Sequence, residues 1–173
     1  MIKKGKGGAN TKTGLVFEKQ TDLRTFLNSQ NGYEVKSEEV YFEDKLVGRI
    51  LKGHSLYSFL KEKGVDWKII LSAKLIPDDA IFVIVKNTLY IIECKFQAGQ
   101  GSVDEKITTC DFKKKQYQKL LSRANIDVEY MYFLSDWFRQ PRYKDSLDYI
   151  ISVRCSYYFE FIPFDKLGLP MPK

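Results

Sequence analysis

Residues 76–97, IPDDAIFVIVKNTLYIIECKFQ, place acidic groups and a lysine on what reads as two neighbouring strands, and few folds accommodate that. The run 80–85 is almost wholly apolar and rich in β-branched residues. Asn87 and Thr88 break it, and residues 89–96 resume the pattern, which is the signature of a strand, a turn and a strand. Strands apolar on both faces belong in the middle of a sheet. Alternation then puts Ile91, Glu93 and Lys95 on one face of the second strand and Ile92, Cys94 and Phe96 on the other. A carboxylate and an ammonium inside an apolar strand are costly to bury unless they pair with each other, a metal or a ligand. Asp78 follows Pro77 fifteen residues before Glu93, a separation that suits a short hairpin returning the aspartate beside the glutamate. Two carboxylates and a lysine then converge.

Metal-dependent phosphodiester hydrolysis needs this set: hard carboxylate oxygens for Mg²⁺, open positions for water and a phosphate oxygen, and a cation nearby. Pro77-Asp78 followed by Glu93-Cys94-Lys95 resembles the PD-(D/E)XK nuclease superfamily, whose best-known members are type II restriction endonucleases. The resemblance implies an α/β fold with a restriction-endonuclease-like αβββαβ core, a central mixed sheet flanked by helices. It implies that Asp78 and Glu93 are metal ligands. Lys95 would orient or help deprotonate the attacking water and offset charge on the phosphorane. Asp79 stands where the family often has a small residue, so it is either a second ligand or, by a register shift of one, the principal one. Glu18, within Gly14-x-x-x-Glu18, looks like the glutamate that many members carry on a first helix beside the metal, and reads equally well as a solvated side chain. Gln97 falls on the face of Lys95 and can hold a water or a phosphate. A plain salt bridge between Glu93 and Lys95 is the competing reading, disfavoured by the apolar residues on both sides.

The activity implied is a Mg²⁺-dependent, site-specific endodeoxyribonuclease that cuts both strands of double-stranded DNA and leaves 5′-phosphates. A palindromic target requires two active sites and hence a C₂ homodimer. A structure-specific nuclease such as a Holliday-junction resolvase is the second enzymatic reading. A non-catalytic DNA-binding module with a relic site is the alternative of another class.

A length of 173 residues suits one domain, residues 14–173, behind a Lys- and Gly-rich arm of residues 1–13 expected to be flexible. The net charge of +6 and pI near 9.1 favour an anionic partner, and with the site above that partner is nucleic acid. No run is long enough for a membrane span and the basic start lacks an apolar signal core, so the expectation is a cytoplasmic protein without a membrane partner. Cys94, Cys110 and Cys155 are odd in number and lack metal-ligand spacing, so they read as small core residues. A single histidine, His54, argues against nuclease chemistries built on several histidines.

The remaining chain supplies scaffold and grip. A helix is expected over 15–28, paired strands over 33–52 turning at Glu43 and Asp44, and a short helix over 55–63 closed by Gly64. A strand over 67–75 would lead into the central hairpin. Ser102 and Glu105 have capping-box spacing at the head of a helix running to about residue 122. Its apolar face is Val103, Ile107, Cys110, Tyr117 and Leu121, interrupted by Lys114. Lys113, Lys115 and Lys119 on that helix are candidate phosphate contacts, or simply a solvated face. A strand follows over 128–134. In the loop 135–144, Arg139, Gln140 and Arg142 can read bases in a groove or belong to an aromatic lid. A last strand region is expected over 149–161, then coil.

Overall fold

The computed structural model describes residues 14–16, 22–96 and 104–172. Its first strand, β1 (Gly14–Val16), precedes α1 (Leu23–Asn28). Of the helix expected over 15–28, residues 23–28 are helix, 15 and 16 are strand, and 17–21 lie outside the described residues. Asp22 starts α1 by accepting a hydrogen bond from the Thr25 amide (2.9 Å), which fixes the helix N-terminus there. Leu23, Phe26 and Leu27 are buried, as the spacing predicts.

A meander of β2 (Tyr33–Lys36), β3 (Glu39–Phe42) and β4 (Lys45–Ile50) comes next. Glu43 and Asp44 both take positive φ at the second turn, the backbone that suits a tight hairpin turn. The next strand is β5 (Asp79–Val83), which lies so close to β4 that a Cβ at Gly48 would sit 2.9 Å from the Phe82 carbonyl oxygen. Only glycine allows that approach.

Between them, α2 (Ser55–Glu62) buries Leu56, Tyr57, Phe59 and Leu60. The strand expected over 67–75 is absent. Asp66 instead caps a 3₁₀ turn, Trp67–Ile69, by accepting from the Lys68 amide, and Ile69 is 82% exposed. No place was left for such a strand, because β4 already occupies the edge of β5.

The antiparallel pairing continues from β5 to β6 (Thr88–Lys95), which confirms the expected hairpin. A 3₁₀ segment, Asp104–Thr109, and α3 (Cys110–Ser122) then carry the chain to β7 (Asp127–Leu134), parallel to β6. The anticipated continuous helix is thus a 3₁₀ turn followed by an α-helix. The region expected as strand from 149 begins as helix: α4 (Lys144–Ser152) buries Ile150 and leads to β8 (Ser156–Phe159), parallel to β7. Arg154, at φ 57°, ends that helix and turns the chain. Last comes β9 (Phe161–Pro163), paired antiparallel with β1.

The result is an α/β fold with a seven-stranded mixed sheet in the order β2-β3-β4-β5-β6-β7-β8. One face carries the larger core, where Leu56, Phe59, Ala80, Ile91, Tyr117 and Tyr130 pack under α2, α3 and α4. The other packs Leu23, Phe26, Ile81, Ile92 and Phe133 with Phe164 beneath α1. Among the described residues no helix is long and apolar enough to cross a membrane. Cys110 and Cys155 are buried as expected, whereas Cys94 is exposed.

Candidate active site

Register sets the site. Asp79 stands opposite Ile92 and Ala80 opposite Ile91, so the residue before β5, Asp78, comes level with Glu93 near the end of the pairing. Its Oδ2 accepts a hydrogen bond from the Cys94 amide (3.0 Å), which ties it to β6. Tyr57 holds the approach to it. The Tyr57 hydroxyl accepts from the Leu75 amide (2.7 Å) and donates to the Leu75 carbonyl (3.0 Å), fixing the chain three residues before Asp78.

Glu93 lies on the face of Ile91, as alternation predicts, and its side chain is 5% exposed. Two ammonium groups share its Oε2: Lys95 at 3.0 Å and Lys113 of α3 at 3.1 Å. Lys95 also lies 3.7 Å from Asp78 Oδ2 and donates to the Cys94 carbonyl (3.3 Å). Paired in this way, a buried carboxylate is tolerated where an isolated one is not.

Beneath the carboxylate run three tyrosines. In the parallel register Tyr130 stands opposite Ile91 and Tyr132 opposite Glu93, and Tyr117 reaches Tyr130 from α3 with ring centroids 6.4 Å apart. Burial pushes Tyr132 up to about 12, with smaller contributions from its neighbours, and raises Tyr117 and Tyr130 further, so all three stay protonated at neutral pH. Tyr132 donates to the Lys106 carbonyl (3.1 Å), whereas the Tyr130 hydroxyl is buried without a hydrogen-bond partner among the described residues.

The other expected residues are distributed differently. Asp79 shares a face with Ile81 and Ile92, opposite that of Glu93, so it does not join Asp78. Burial pushes its carboxyl up to about 6 against the pull of Lys52, whose Nζ is 3.6 Å away. Glu18 and Gln97 lie outside the described residues. Lys115 is paired with Asp111 on the helix surface (2.7 Å), and Lys119 lines a shallow depression with Ile69, Ile70 and Arg123.

In the loop after β7, Arg139 bonds Asp136 (2.8 Å) and stacks over Phe159, and Arg142 lies over Trp137 and Tyr143. Gln140 donates to the Trp137 carbonyl (2.9 Å). All three have partners within the protein, the two arginines over aromatic rings.

Lys113 is the site member that sequence reasoning placed elsewhere, among surface phosphate contacts. Its signal was partial: Lys113 stands three residues after Cys110 and four before Tyr117, both buried, and so flanks the buried stripe, half-buried itself. Lys114, read as a break in that stripe, is itself buried, and its ammonium donates to the Arg154 carbonyl.

Among the described residues no group of three or more His, Cys, Asp or Glu side chains is placed to hold a metal. The oxygens gathered around Lys95 are two carboxylates and a main-chain carbonyl, hard donors that already surround a cation. That chemistry fits Mg²⁺. No protein-family model matches the chain, and neither a curated protein nor a solved structure gives a significant match.

Proposed function

We propose that the chain is a Mg²⁺-dependent endodeoxyribonuclease of the type II restriction kind, hydrolysing specific double-stranded DNA as a homodimer and leaving 5′-phosphates. The observation that carries this reading is the Lys95 ammonium held 3.0 Å from Glu93 and 3.7 Å from Asp78, on strands that only tertiary pairing brings together. Asp78 and Glu93, with the Cys94 carbonyl, would hold the ion. When bound it polarises the phosphate and acidifies a water.

The protein's own groups do the rest. Lys95 orients the attacking water and offsets the charge that builds on the phosphorane. The tyrosine floor keeps water from below Glu93, which is buried, whereas Asp78 on the other side of Lys95 opens to solvent, where a phosphate can approach. The order β4, β5, β6, α3, parallel β7, with α1 before it, supports a restriction-endonuclease-like core carrying β2, β3, α2, α4 and β8 as additions. The net charge of +6 suits a polyanionic substrate.

Incubation with a mixed-sequence plasmid and Mg²⁺, followed by sequencing of the ends, tests the activity directly. Asp78→Ala and Lys95→Ala are expected to lower the cleavage rate by about 10²-fold or more while DNA binding persists. Undiminished cleavage in both variants would sink the assignment.

A further inference from the structure

Lys113 differs from the exposed lysines of its helix. Lys115 pairs with Asp111 one turn back and its side chain is 66% exposed. Lys113 instead crosses the gap between helix and sheet to Glu93 Oε2, with 29% of its side chain exposed. One carboxylate oxygen therefore holds two ammonium groups, from two elements. Lys95 is shared with Asp78, 3.7 Å away, so the two carboxylates balance the two ammonium groups, yet both ammonium groups crowd one oxygen. Holding them there costs the rotamer freedom of two long side chains. A divalent ion on Asp78 and Glu93 would displace one lysine from that oxygen and leave it for another anion.

We infer that Lys113 is a second active-site lysine, which leaves Glu93 to bind a non-bridging oxygen of the scissile phosphate when DNA is seated. The inference rests on the nuclease reading of this site. Lys113 is the ammonium suited to move, because Lys95 is less exposed (18%) and is also held by Asp78 and the Cys94 carbonyl. Its departure frees Glu93 Oε2 for the cation that the same carboxylate would hold. Lys113 and the divalent ion thus compete for Glu93, and the substrate phosphate resolves the competition.

The test compares Lys113→Gln and Lys113→Arg with the wild type, using Lys36→Gln, at an exposed lysine paired with Glu34 on β2, as the surface control and circular dichroism to verify the fold. Mn²⁺ is titrated into DNA-free protein by calorimetry, and single-turnover cleavage is followed on a mixed-sequence plasmid. Lys113→Gln is expected to bind Mn²⁺ about fivefold more tightly, having lost the competing ammonium, and to cleave about 10²-fold more slowly. Lys113→Arg should recover most of the rate, and Lys36→Gln should match wild type in both quantities. Wild-type Mn²⁺ affinity or a wild-type cleavage rate in folded Lys113→Gln overturns the inference and leaves the nuclease reading standing. A wild-type protein that cleaves neither duplex nor four-way junction with Mg²⁺ or Mn²⁺ overturns both.

Discussion

The consequence of strand alternation is sharpest at Asp78 and Asp79. They are adjacent in sequence, yet one is tied to the Cys94 amide at the edge of the candidate site and the other lies on the opposite face of the sheet, next to Lys52. Replacing them separates their roles. Asp78→Asn is expected to lose about 10²-fold or more in Mg²⁺-dependent cleavage, whereas Asp79→Asn should stay within a few-fold of wild type in rate and Mn²⁺ affinity. The reverse ranking would move the metal site to the other face. This division was not legible in the sequence, because a register slip of one residue exchanges the two faces and only the pairing of Asp79 with Ile92 fixes it. Glu93 and Lys95 were legible, since two-residue spacing within one apolar strand leaves no such freedom. Lys113 was partly so. Its place beside the helical stripe could be read, but the partner facing that stripe is set by how α3 docks on the sheet.

At the scale of elements, the misread segments share a cause. The apolar residues of 67–75 fit a strand by composition, but β4 holds the edge they would need, and Asp66 finds a local partner in the Lys68 amide. Residues 144–152 carry too few apolar positions to separate helix from strand by periodicity, and the Lys144–Asp148 pair at four-residue spacing favours the helix. Two elements give quantitative expectations. The Asp22 carboxyl is held below its ordinary range chiefly by the Thr25 amide, so its capping contribution is present above the unfolded value of 3.8 and is lost as pH falls through the lower folded value. Asp22→Ala should therefore cost about 1 kcal/mol at pH 7 and progressively less in acid, as read by urea unfolding across that range. A cost unchanged between pH 7 and pH 2 would remove the cap from the account of α1. Tyr57→Phe deletes the hydroxyl that grips Leu75 at both amide and carbonyl, and about 1–2 kcal/mol of stability should go with it. Because that grip lies just before Asp78, slower cleavage at unchanged DNA affinity is expected from the same variant.

For the whole molecule, the decisive quantity is the number of sites per cut. Each chain carries one set of Asp78, Glu93 and Lys95, and the two strands of a duplex present their scissile phosphates in opposite orientations. One rigid site addresses one strand at a time, so concerted double-strand cleavage calls for two copies related by a two-fold axis. Mixed dimers test this directly. If the chain acts as the proposed homodimer, wild-type protein re-equilibrated with excess Lys95→Ala yields dimers with a single working site, because the substitution removes an ammonium near Glu93 without touching the sheet pairing. Such dimers should convert supercoiled plasmid to the nicked circle and stop there, while wild-type dimers carry it on to the linear form. The yield of linear product should then fall with the square of the wild-type fraction. A first-power dependence, together with a monomer mass on DNA by sedimentation, would mean that each copy cuts alone, and would replace the homodimer with a single-chain nicking enzyme built on the same site.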